Sequence, residues 1–414
     1  MARVLDNWME GFVAYTDNSE PPQLFKKWVA VGVVAAVLRR KCFLNWGYMT
    51  FFPNMYIVLC GPSGCRKGTA MGPGYDMLRE LGIKMSAESI TREALIRELK
   101  NSGDSFVDAK NGKITPHCSL TVFSQELTVF LGYNNHALMA DLADWYDCRS
   151  SWTYRTKNMG TDDITNIWVN LMGATTPELV QTTLPLDAIG GGLTSRIIFV
   201  YEEKKGKSCP TPFLTQQEVQ LRQILVNDLE QISMIGGEFR ITKEFLHTWI
   251  EWYHWQEAHP PFKDSRFAGY IERRPTHMLK LSIIMSAMRK DSNNIITEQD
   301  FNSARALMEE TEVKMPRTLG GMGKSANADV TTKVLAILAS QKQVKRSELL
   351  QTFYHDADKD TMNKVLATLE SMKAIEIRSV KGDAMIYYTY KQQSLNTDGT
   401  PISSVQKTNE EKGD

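Results

Sequence analysis

Between Met55 and Thr69 the chain reads Met-Tyr-Ile-Val-Leu-Cys-Gly-Pro-Ser-Gly-Cys-Arg-Lys-Gly-Thr. An apolar run ends at Cys60, a loop carrying Gly61 and Gly64 follows, and Lys67 leads into helix-compatible residues. Strand, loop of backbone N–H donors, lysine and helix N-terminus is the order of a phosphate-binding P-loop. From Gly61 to Lys67 the spacing is that of G-x-x-x-x-G-K-[ST], with two departures. Arg66 stands at the second glycine and Gly68 at the hydroxyl position, so the nearest hydroxyl, Thr69, falls one residue late.

The residues around this loop organise into an α/β chain. Residues 1–50 read as an N-terminal helical segment, with helices at Asp6–Tyr15 and at Pro22–Arg40 after a Pro-Pro start. Residues 51–210 alternate apolar runs (Tyr56–Cys60, Leu120–Phe123, Trp168–Met172, Ile197–Tyr201) with helical stretches at Thr91–Leu99 and Ala137–Tyr146. That alternation predicts a parallel sheet. Residues 211–316 read as helical throughout, a candidate lid, and 317–327 as a flexible linker. The Gly-Met-Gly-Lys-Ser of 321–325 echoes the end of a P-loop, but no apolar strand precedes it. In 328–391 three helices precede a β-hairpin, the order of a winged helix, with Lys381 at the wing tip; 392–414 reads as a disordered tail.

Composition narrows the classes. Lysine plus arginine and aspartate plus glutamate stand at 48 each, so a nucleic-acid surface must be a local patch. Over 328–391 ten basic residues face eight acidic ones, a weak positive balance. The six cysteines form no C-x-x-C pair, which fits reduced thiols in a cytosolic compartment. The apolar run Trp28–Leu38 is about a dozen residues long, too short for a membrane span, and reads as a buried helix. His254 and His259 are five apart, the wrong pitch for a helical metal pair. Phe245, Trp249, Trp252 and Trp255 read as helical core.

The candidate phosphate cradle is Gly61, Pro62, Ser63, Gly64, Cys65, Arg66, Lys67, Gly68 and Thr69, with Lys67 neutralising β/γ-phosphate charge. Thr69 is the candidate hydroxyl for Mg²⁺. The run Ser119–Leu127 fits an apolar strand ending in a catalytic carboxylate. There Glu126 is the candidate base, and Gln125 stands where a metal-side aspartate is expected. In Gly173-Ala-Thr-Thr-Pro177, Thr175 and Thr176 are candidate γ-phosphate sensors, or else caps of the following helix. Arg196, just ahead of the last apolar run, is a candidate finger toward a neighbouring subunit's nucleotide, or else a local ion pair. Arg273 or Arg274 is a candidate lid sensor aimed back at the nucleotide.

With these motifs in this order, the chain resembles the P-loop ATPases that form the helicase part of primase–helicase-type replication proteins of phages, prophages and plasmids. The resemblance rests on Pro53–Gly64, Lys67-Gly-Thr69, Phe123–Glu126, Gly173–Pro177 and Gly192–Val200, and spans roughly residues 15–315. It implies an AAA+/RecA-like P-loop NTPase core with N-terminal helices, an α-helical lid and a C-terminal winged helix. It also implies ATP and Mg²⁺ as cofactors, and a homo-hexamer or other ring working on DNA with replication proteins in a bacterial host's cytoplasm. A basic residue ahead of the P-loop lysine, as in Arg66-Lys67, is tolerated in this group. Two alternatives stay open: a non-hydrolysing, nucleotide-dependent DNA-binding initiator or loader, and a winged-helix transcriptional regulator.

Overall fold

The computed structural model describes residues 2–107, 112–156, 160–184, 191–320, 328–354, 357–380 and 383–389. They divide into two compact units, Met1–Met322 and Gly323–Asp414. The expected tail, most of the linker with its second glycine-lysine motif, Gly190 and the wing-tip Lys381 lie outside the described residues.

Both expected N-terminal helices form. Asn7 caps α1 (Trp8–Tyr15), accepting from the Met9 and Glu10 N–H groups at 2.9 and 3.3 Å. In α2 (Gln23–Leu38) every residue from Leu24 to Leu38 except Lys27 is buried. Glycines let it sink into the core. A Cβ on Gly32 would meet Met172 Cε at 2.1 Å, and one on Gly74 would meet Val33 Cγ2 at 2.7 Å. The chain then turns through β1 (Cys42–Trp46) and β2 (Met49–Phe51), an antiparallel hairpin around Gly47 at φ +63°.

The central sheet begins with β3 (Tyr56–Cys60), which leads into α3 (Lys67–Glu80). After α4 (Arg92–Asn101) come β4 (Gly103–Val107) and β5 (Ile114–Ser124), then α5 (Leu127–Leu131) and α6 (His136–Tyr146). An antiparallel pair, β6 (Ser151–Thr156) and β7 (Gly160–Thr165), precedes β8 (Ile167–Thr175), α7 (Pro177–Thr183) and β9 (Ile197–Tyr201). The sheet order is β4-β5-β8-β3-β9, with β5, β8, β3 and β9 parallel and β4 antiparallel at the edge. All residues of β3, β8 and β9 are buried, as in a parallel sheet covered on both faces. The strand ending in Thr175 therefore lies between the strand feeding the glycine loop and the strand feeding Glu126.

The region from 211 is not helical throughout. Between α8 (Gln216–Ser233) and α9 (Lys243–Ala258) runs β10 (Gly237–Ile241), and between α10 (Ala268–Met288) and α11 (Glu298–Glu312) runs the short β11 (Ile295–Ile296). Together with the hairpin they form a second sheet, β11-β10-β1-β2, in which β1 runs parallel to β10. The cause is local: Gly237 sits at φ +96°, turning the chain out of α8, and β10 then alternates buried and more exposed residues with period two. The expected boundaries at 50 and 210 thus fall inside one unit. The first residues of the linker expected over 317–327 instead close a 3₁₀ turn, Met315–Leu319, with Met315, Thr318 and Leu319 buried. Phe245, Trp249 and Trp252 are core residues, whereas Trp255 is 44 % exposed and stacks on His259.

The second unit contains α12 (Ala328–Gln341), β12 (Gln343–Lys345), α13 (Arg346–Thr352), α14 (Lys359–Ser371), β13 (Ile375–Val380) and β14 (Asp383–Tyr388). Its antiparallel sheet has the order β12-β14-β13, adding the short β12 to the expected hairpin. Val334, Leu338, Leu349, Met362, Leu369 and Ile386 close a core of its own. Among the described residues, no helix is long and apolar enough to cross a membrane.

Candidate functional site

Register along the central sheet decides which motif residues meet. Cys60 pairs with Thr175 on one side and Tyr201 on the other, and Ser124 pairs with Gly173. The glycine loop, Gln125–Glu126 and Thr175 therefore leave the sheet at one edge, where the C-terminal ends of parallel strands form a crevice.

The loop's backbone is more tightly constrained than its spacing alone indicates. Gly61 has no room for a side chain, since a Cβ would lie 2.3 Å from the Glu202 carbonyl oxygen. Gly64 sits at φ +86°, and Arg66 caps α3 in the left-handed region at φ +64°, ψ +31°. An arginine thus holds the backbone conformation that a glycine adopts without cost. Its side chain turns away from the loop to Glu20, Nε to Oε2 at 2.6 Å. Glu20 also accepts from Lys205 Nζ at 2.5 Å and the Cys209 N–H at 3.3 Å. Lys205 first, then that N–H, with Arg66 adding a smaller pull, hold its carboxyl down to about 2. Lys67 Nζ donates to the carbonyls of Gly61 at 2.6 Å and Pro62 at 3.1 Å, folded back over its own loop. Ser63 and Thr69 are exposed. Burial pushes the Cys60 thiol up to about 12 and raises Cys65 too, so neither is a thiolate nucleophile at neutral pH.

Gln125 and Glu126 follow β5 and are exposed; Glu126 Oε1 accepts from Thr128 Oγ1 at 3.2 Å. Thr175 is buried beside the loop, and its carbonyl faces the Gly61 N–H at 3.4 Å. Thr176 caps α7, accepting from the Leu179 N–H at 3.4 Å.

Of the arginines singled out from sequence, Arg196 and Arg273 lie at the opposite edge. Ile197 pairs with Tyr56, so Arg196 lies level with Met55, about 20 Å of strand from Gly61. It is 9 % exposed and donates to Gly192 O and to Asp147 Oδ2, both at 2.6 Å. This is the local ion pair, in place of an extended finger. Arg273 reaches the same carboxylate, Nη1 to Oδ1 at 3.4 Å, and so does not aim at its own chain's loop. Arg274 is buried in a two-pronged pair with Glu312 at 2.7 and 2.8 Å. The helical region's cations at the loop edge are instead Lys314, 2.7 Å from Glu202, and Arg317, paired with Glu203. The only sequence sign of them was Met-Pro-Arg-Thr-Leu319, where the proline opens the 3₁₀ turn that packs against β9.

A Mg²⁺ ion held as P-loops hold it needs a hydroxyl at position 68 and a carboxylate at position 125. Gly68 has no oxygen on its side chain and Gln125 no charge. Thr69, one step along α3, is turned about 100° from Gly68. This donor set does not fit the ion. No protein-family model matches the chain, and no curated protein matches its sequence.

Proposed function

We propose that this protein is a P-loop NTPase of the AAA+/RecA-like kind, an ATP-dependent helicase or translocase acting on DNA as a ring. The observation that carries it is the register: Lys67, Gln125–Glu126 and Thr175, far apart in sequence, converge at one sheet edge with β8 interposed between β3 and β5. That interposed strand with a polar residue at its end is the arrangement expected of additional-strand ATPases. On this reading Lys67 and the loop N–H groups bind phosphates, Thr175 sits beside the γ-phosphate, and Glu126 takes a proton from the attacking water. Lys314 and Arg317, rather than Arg273, are the cations by which the helical region senses the nucleotide. Arg196 acts on a neighbour only if it leaves Asp147.

The C-terminal unit has the element order of a winged helix. The exposed face of its α14 carries Lys359 and Lys364 against Asp360 and Glu370, which gives little net attraction for phosphates. The Gly68–Gln125 pair favours one other reading, a nucleotide-dependent DNA initiator or loader that binds without fast hydrolysis.

ATP turnover with and without DNA separates the two. Wild type turns over faster with DNA; Lys67→Ala loses nucleotide binding; Glu126→Gln binds but slows about 100-fold or more. Retained binding with no turnover above background sinks the motor and leaves the loader.

A further inference from the structure

The two departures from the P-loop pattern touch each other. A Cβ on Gly68 would lie 3.0 Å from Gln125 Oε1 and 3.7 Å from its Cδ. The glutamine carboxamide thus rests against the bare Cα, in space that a serine or threonine would occupy. Among the described residues no hydrogen bond engages that carboxamide, and the residue is exposed. Oε1 is the amide atom that faces Gly68. A half-turn about the Cγ–Cδ bond exchanges it with NH₂, and no hydrogen bond among the described residues opposes that turn, so the carboxamide can present a donor at the mouth of the loop.

Two substitutions that meet in space have one consequence for charge. With a carboxylate at 125, a triphosphate would be repelled unless a cation lay between them. With a carboxamide, the residue attracts phosphate oxygen directly, and Gly68 gives it room to approach. We propose that this loop binds nucleoside triphosphate without a divalent cation held by the protein, the Gln125 amide donating to phosphate oxygen in the cation's place. This rests on the assignment of the loop to a nucleotide, and the experiment is arranged to tell the two apart.

The probe is the non-hydrolysable β,γ-imido analogue of ATP, titrated into the full chain by calorimetry in excess Mg²⁺ and again in EDTA. Wild-type affinity changes by less than about threefold between the two buffers. Gln125→Leu, at an exposed position that tolerates substitution, lowers affinity about tenfold in both, the loss of one hydrogen bond to a charged group. The pair Gly68→Ser with Gln125→Asp restores the metal-holding set, and its affinity falls about tenfold or more on moving from Mg²⁺ to EDTA. Circular dichroism checks that each variant is folded. Wild-type binding that drops tenfold in EDTA overturns the proposal while leaving a nucleotide site in place. Unchanged affinity in Gln125→Leu overturns the donor role. Absence of binding in both buffers, or equal binding by Lys67→Ala, removes the nucleotide assignment itself.

Discussion

At the C-terminal edge of the central sheet, Lys67 is held, among the described residues, only by two carbonyls of its own loop, and Gln125 and Glu126 face solvent. At the N-terminal edge, Arg196, Arg274, His277 and Lys280 are nearly or fully buried and tied to Asp147, Glu312, Tyr146 and Asn54. The same strands connect both edges. One keeps its polar groups loosely satisfied and open to a ligand; the other satisfies them internally and joins the helical region to the sheet. On the proposed function, ligand binding and stability fall at opposite ends of β3 and β9, and substitutions at the two ends should behave differently.

The largest stability effect belongs to the closed edge. Glu312 accepts from Arg274 twice and from the Tyr270 hydroxyl at 3.0 Å, with the ion pair 2 % and 5 % exposed. Glu312→Ala leaves a buried guanidinium without its counter-charge, a loss of about 3–5 kcal/mol. Lys67→Ala removes a partly exposed side chain and costs about 0.5 kcal/mol or less. Urea unfolding of both variants checks this. Equal losses would erase the distinction between the edges.

The two edges were not equally legible in the sequence. Tyr56–Cys60 and Ile197–Tyr201 form strands with the expected bounds, because parallel strands buried on both faces are almost wholly apolar. The glycine loop was legible for a related reason: its chemistry lies within one short segment. The polar strands β4, β6 and β7 carry no such signal, and β10 was hidden between two amphipathic helices. The closed edge depends on long-range packing. That Arg196 and Arg273 share Asp147 follows from where α6 and α10 dock, which no local pattern encodes. The contact between Gly68 and Gln125 likewise needs the β5–β8–β3 register before two separate oddities become one feature.

A smaller, pH-dependent effect also belongs to the closed edge. His277 Nε2–H donates to the Ser195 carbonyl at 3.1 Å while Nδ1 accepts from Tyr146 Oη at 2.8 Å. Burial first of all lowers its pKa to about 3, so the folded protein holds it neutral. Unfolded, it titrates near 6.5, and between 6.5 and 3 the unfolded chain binds the extra proton. Stability from this group is complete above 6.5 and is lost as pH falls toward 3, about 2 kcal/mol of it by pH 5. His277→Gln, which keeps an acceptor and a donor, should flatten that part of the profile in urea titrations at pH 7 and pH 5. The buried His117, lowered to about 4, contributes with the same sign in both proteins and cancels in the comparison. An identical slope in wild type and variant would remove His277 from the account.

The smallest effect tests the open edge from within. Arg66 occupies a left-handed conformation that costs a non-glycine residue about 1–2 kcal/mol, and its ion pair with Glu20 is half exposed and screened by solvent, so it returns little of that cost. Arg66→Gly relieves the first and loses the second, so it should raise stability, by no more than the relieved strain of about 1–2 kcal/mol. Arg66→Ala keeps the strain and loses the pair, and should fall slightly below wild type. The Gly variant must then exceed the Ala variant in thermal unfolding. The ordering isolates backbone from charge, because neither substitution retains the guanidinium. If alanine matches glycine, the loop relaxes out of the left-handed region, and its cradle is not preset before a ligand arrives.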